Sequence, residues 1–135
     1  MRRPRALVGA AVVWLLAIAF SAPALADYYV TQSGRVLCAV TPDSTLGNDD
    51  GDWAVCQGAF TQATHGENCV STSGNGSFRW ASGDAAFDMP RTEMVYGRTY
   101  QWGIWSLLHN STGTRVVNNR TGHGMFVSID NVYAF

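Results

Sequence analysis

A histidine between two glycines, Gly122-His123-Gly124, is the first place in this chain where residue types suggest chemistry. An imidazole with unobstructed backbone on both sides can face a ligand or act as a general base. Base catalysis also needs a nucleophile within hydrogen-bond reach and a third group that orients the ring. Ser128 and Asp130 follow His123 at five and seven residues, too far along one strand to form a local triad. Triads assemble from separate elements, so a small hydrolase using His123 stays open as an alternative. The structural reading is simpler. A tight turn accounts for both glycines, and the imidazole then bonds to backbone carbonyls. No residue is assigned a catalytic role.

Aromatic spacing offers a second chemistry. Tyr96, Tyr100 and Trp102 recur at even intervals, and on a strand such residues share a face. A row of rings is what sugar stacking requires, which makes Tyr100 and Trp102 candidate ligand contacts of a carbohydrate-binding domain. Trp105 breaks the parity unless Gly103 marks a bulge. Rings are also the ordinary filling of a small β core, and core is the stronger expectation. A third cluster, Asn48-Asp49-Asp50-Gly51-Asp52, gathers oxygen ligands suited to calcium. It lacks the calcium-loop spacing and the later bidentate glutamate, so it reads as a solvated turn. No metal site and no cofactor are assigned.

Three cysteines allow three pairings and always leave one thiol over. Cys38 and Cys56 sit in strand-like runs (36–40 and 53–56), whereas Cys69 lies in a polar stretch that reads as loop. Cysteines on neighbouring strands meet the Cα separation a disulfide needs, about 4.4–6.8 Å. The expected bond is Cys38–Cys56, stabilising by about 3 kcal/mol through loop closure. Cys69 is the expected free thiol. No cysteine or histidine spacing matches a zinc site.

The elements that must position these groups are β-strands behind a targeting segment. Residues 1–26 run from three arginines, through an apolar stretch from Ala6 to Phe20, to Ala24-Leu25-Ala26. That is the order of a secretory signal peptide with cleavage after Ala26, and the stretch is short for a membrane span of roughly 20 residues. Removing it leaves 27–135 as a single expected domain with six arginines, no lysine and ten acidic residues, a net charge of 6 − 10 = −4. Scattered arginines on an acidic domain argue against a nucleic-acid partner. No later run reaches transmembrane length.

Val36, Cys38 and Val40 alternate with Leu37 and Ala39, so this strand is expected to be covered on both faces. Residues 60–77 read as a long loop with Asn75-Gly76 as a hairpin turn, and residues 98–108 carry continuous β character. Residues 85–90 are ambiguous. No window shows helical periodicity with caps. Short strands broken by turns every eight to twelve residues give an all-β fold, a small sandwich or barrel of mainly antiparallel strands. Three N-x-S/T sequons, at Asn75, Asn110 and Asn119, mark exposed loops.

An ordered series of motifs runs through the domain: Ser33-Gly34-Arg35-Val36-Leu37-Cys38, Val55-Cys56, Cys69, Phe78 to Asp84, Val95-Tyr96-Gly97 and Asn118 to Phe126. The set resembles small exported proteins of actinobacteria, including mycobacteria, across nearly the whole domain. That family has no established activity, so the resemblance implies no catalytic residues. Three family cysteines are missing here. Trp80, Leu107 and Val116 stand near their places, which implies an apolar pair at Leu107 and Val116. It further implies that Cys69 has lost its partner at Trp80. The combined expectation is a secreted or cell-envelope, non-enzymatic binding or interaction module, its partner a protein or an envelope glycan.

Overall fold

The structure is a computed structural model that describes residues 26–41, 52–84 and 89–135. The expected signal segment up to Leu25, the acidic run up to Gly51 and the ambiguous residues 85–88 lie outside the described residues.

Among the described residues the chain forms eleven strands and no helix. One sheet contains β1 (Asp27–Val30), β2 (Val36–Val40), β3 (Trp53–Gly58), β4 (Cys69–Ser73), β5 (Phe78–Ala81) and β6 (Thr92–Glu93), ordered β5-β4-β3-β2-β1-β6. The other contains β7 (Arg98–Trp102), β8 (Trp105–Asn110), β9 (Gly113–Asn118), β10 (Gly124–Val127) and β11 (Val132–Ala134), ordered β11-β10-β9-β8-β7. Every pairing is antiparallel except β1 with β6. The two sheets pack face to face, so the fold is a sandwich and not a barrel. Each sheet is contiguous in sequence, and Met94 to Gly97 carries the chain from the first to the second.

Strand parity builds the core. Tyr29, Cys38, Cys56, Val70 and Trp80 stand opposite one another across β1 to β5 on the inner face. Tyr100, Leu107, Val116 and Met125 form the answering row across β7 to β10. Leu107 and Val116 are direct cross-strand partners and both are fully buried, as the resemblance implied. Burying side chains of this size contributes roughly 1.5–3 kcal/mol each. The fully buried Trp105 ring is the largest group in the core.

The Cys38–Cys56 disulfide joins directly opposed residues of β2 and β3, with Cα atoms 4.1 Å apart. Ala39 on the other face of β2 is fully buried and Leu37 partly so, which fits a strand covered on both sides.

Three expectations are corrected. The supposed loop over 60–77 contains β4, and Cys69 is its first strand residue. Serine and threonine make up three of its five residues, yet Val70 and Thr72 are buried on its inner face, so packing decides the strand where polarity suggests a loop. The run 98–108 is a hairpin, not one strand with a bulge. Gly103, at φ +55°, turns the chain so that Trp102 faces Trp105. Finally, Cys69 lies opposite Ala81 on the outer face, while Trp80 points to the inner face, so Trp80 does not fill the place of a partner for Cys69.

Candidate functional site

His123 stands where a turn delivers the chain into β10. Asn118 organises that turn: its side-chain oxygen accepts hydrogen bonds from the Arg120 and Thr121 amides at 3.0 and 3.1 Å. The His123 carbonyl accepts from the Asn118 amide at 2.7 Å, and Gly122 adopts φ +78°. The imidazole is exposed. Its Nδ1 lies 3.4 Å from the Phe135 main-chain oxygen, and its ring packs so closely on Gly76 that a Cβ there would sit 2.9 Å from Nδ1. Ser128 lies past the other end of β10, roughly 15 Å away at a strand's rise per residue. The fold does not bring His123, Ser128 and Asp130 together.

Near this turn lies a buried polar cluster. Asp52 is buried and pairs with the exposed Arg120 guanidinium at 2.8 Å. The second Asp52 oxygen, Asn118 Nδ2 and Trp105 Nε1 are buried and have no hydrogen-bond partner among the described residues.

Tyr100 and Trp102 face inward. Both are half-buried and pack against the core, so they do not make an outward platform. The Tyr100 ring lies 5.9 Å from Tyr29, and its hydroxyl accepts a hydrogen bond from the Val95 amide at 2.8 Å. Tyr29 is buried beside Asp27, and burial first, then that carboxylate, hold its phenol well above the usual tyrosine range.

The opposite end of the sandwich carries an open cleft of about 420 Å³, within the range of roughly 300–1,000 Å³ typical of ligand sites. It is bounded by the β1–β2 turn, the β8–β9 turn and the residues after β10, with Arg35, Tyr96, His109, Thr112 and Asp130 in its wall. His109 ends the inner face of β8 and is 2% exposed. Its Nε2 accepts a hydrogen bond from the Gln32 amide at 3.2 Å, so the ring proton sits on Nδ1, which donates to Thr114 Oγ1 at 2.9 Å. Both nitrogens are committed, and burial pushes the imidazole below its ordinary pKa. A ring that donates to Thr114 cannot take a proton from it, so the pair is not a nucleophile and base.

Tyr96 lies over this histidine, with ring centroids 5.0 Å apart and planes 32° from parallel. Its backbone is fixed on all sides. The Tyr96 amide donates to Gln32 Oε1 at 2.8 Å, the Gly97 amide donates to the His109 carbonyl at 2.7 Å, and Tyr100 holds the amide of Val95. Gly97 provides the φ of +82° that lets the chain turn into β7. The ring remains 40% exposed. Around it, among the described residues, no hydrogen bond or ion pair engages the side chains of Arg35, Asn110, Ser111, Thr112 or Asp130.

Cys69 is a buried free thiol whose Sγ approaches the Gly83 carbonyl at 3.6 Å. Burial, then the nearby Asp84 carboxylate, raise its pKa and leave it protonated and unreactive. No three His, Cys, Asp or Glu side chains cluster as a metal site among the described residues, and no helix there is long and apolar enough to cross a membrane.

No protein-family profile, curated protein or solved structure matches this chain. The resemblance to exported actinobacterial proteins therefore rests on the ordered motifs alone.

Proposed function

We propose that this protein is an extracellular, non-enzymatic binding module whose ligand seat is the cleft around Tyr96. The observation that carries this reading is the contrast within the cleft wall. The one histidine there is locked as a neutral structural strut, whereas an exposed ring and five polar side chains stand unengaged among the described residues. Catalysis needs a mobile proton beside a nucleophile, and recognition needs a rigid surface with free donors and acceptors. The cleft supports the second.

Export is supported by the signal-like order of residues 1–26, and the Cys38–Cys56 disulfide is compatible with an oxidising exterior. The motif resemblance to exported actinobacterial proteins points the same way. The hydrolase reading on His123 draws no support from the geometry, because that ring lies against Gly76 and the Phe135 main chain.

The test is an NMR titration of the isotope-labelled protein, recovered from an exporting host, against a library of small polar fragments. Shift changes should concentrate at Arg35, Tyr96, Thr112 and Asp130. Changes centred on His123, or turnover of chromogenic esters or glycosides that His123→Ala abolishes, would overturn the proposal.

A further inference from the structure

Resting on the cleft as the binding site, we infer that its ligand is an uncharged saccharide unit, stacked on Tyr96 and hydrogen-bonded by the surrounding turns. Three independent features converge on this class.

The first is the ring. Tyr96 has its backbone pinned by two neighbouring elements and one side braced by His109, so it loses little freedom when a flat partner settles on its open side. Pre-ordered aromatic planes bind at low entropic cost. The axial C–H faces of a pyranose or furanose present the weakly positive, apolar surface that suits the negative face of such a ring.

Charge is the second. Arg35 and Asp130 both line the cleft, and neither has an ionic partner among the described residues. A polyanion gains from Arg35 but meets Asp130, and a cation meets the reverse. An uncharged polyol, each hydroxyl both donor and acceptor, satisfies both at once.

The third is the lining. Asn110, Ser111 and Thr112 crowd the β8–β9 turn with short polar groups, while Val36, Val127 and Ile129 add apolar surface of the kind a sugar's C–H face also covers. An apolar ligand would strip water from the polar groups without return, and each such loss costs roughly 1–3 kcal/mol. A ligand rich in hydroxyls replaces that water bond for bond. An extended peptide would instead pair with a free sheet edge, and the cleft is walled by turns.

The experiment is titration of the exported protein, followed by NMR and calorimetry, with xylotetraose, arabinotetraose, mannotetraose and cellotetraose as uncharged probes. Tetragalacturonate and chitosan tetramer serve as anionic and cationic controls. At least one uncharged probe should shift the Tyr96 and Asp130 signals and bind more tightly than either charged control. Tyr96→Ala should weaken that binding roughly tenfold or more, while Tyr96→Phe, which keeps the ring plane, should stay within about threefold of the parent. Preference for a charged control, or equal binding by Tyr96→Ala, overturns the saccharide assignment. Non-sugar fragments that shift the cleft when no saccharide does would also overturn it while leaving the binding-module reading intact. If neither saccharides nor fragments perturb the cleft, both fail.

Discussion

The glycines beside His123 can be tested against each other, because the structure gives them different work. At Gly124 an added Cβ would lie 2.0 Å from the Val116 carbonyl oxygen and 2.9 Å from the Phe135 ring. Non-bonded carbon contacts settle near 3.5–4.0 Å. The overlap falls on backbone of the neighbouring strand, which no rotamer change relieves, so β9 and β10 must separate at that end. Overpacking of this kind costs about 1–3 kcal/mol. The paired hydrogen bonds between Gly124 and Phe135, at 3.1 and 3.0 Å, weaken with it. Gly124→Ala is therefore expected to destabilise by roughly 3 kcal/mol, a fall in Tm of about 10–20 °C for a domain of this size.

Gly122 differs: no atom lies within 4 Å of its added Cβ, and only its φ of +78° resists alanine. That substitution should cost about 1 kcal/mol. His123→Ala removes an exposed ring with one long hydrogen bond and should cost under about 1 kcal/mol. Thermal and urea unfolding, with m-values checked for constancy, measure all three. A Gly124→Ala variant that melts with the parent, or a His123→Ala variant that is the most damaging of the set, would refute these roles.

Other consequences can be measured alongside. The depressed pKa of His109 means that, below about pH 6.5, the unfolded chain binds a proton there that the folded state refuses. Stability should fall with falling pH from that point by up to about 1.4 kcal/mol per pH unit, levelling off below the folded-state pKa, and His109→Gln should remove this component. Identical pH profiles for parent and variant would contradict it. Cys69 should resist thiol-specific labelling in the native protein and react once the chain is unfolded in urea, whereas Cys38 and Cys56 stay unlabelled without reductant; rapid native labelling of Cys69 speaks against its burial. Arg120→Ala strips the partner from the buried Asp52 carboxylate and should destabilise by about 1–2 kcal/mol, solvent around the exposed guanidinium limiting the loss. A change below about 0.3 kcal/mol would show that the pair contributes nothing.

How much of this was legible in the residues differs between fold and site. Period-two alternation at Val36, Cys38 and Val40 marked both a core strand and one end of the disulfide, because parity is a local property. The pairing of Leu107 with Val116 was expected only through the motif resemblance, and the register places the two side chains directly opposite each other. β4 was not readable. Its sequence, Cys69-Val70-Ser71-Thr72-Ser73, carries little apolar signal, and its strand character comes from neighbours on both sides. The cleft was hidden for a related reason. Arg35, Tyr96, His109 and Asp130 are far apart in the chain and meet only because three turns share one end of the sandwich. Even spacing drew attention to Tyr100 and Trp102, yet the Gly103 turn folds their strand back and commits both rings to the interior.

The passage from Met94 to Gly97 has a consequence for assembly. Each sheet closes its own hairpins from consecutive residues, so the first can be completed before the second has folded. The two halves are then joined by one short cord, as a hinge joins two leaves. Two copies at high concentration can trade second sheets without opening a single hairpin, the condition under which paired, exchanged molecules form. Tyr96 lies on that cord. A ligand stacked on that ring, as proposed above, would bear on the hinge itself.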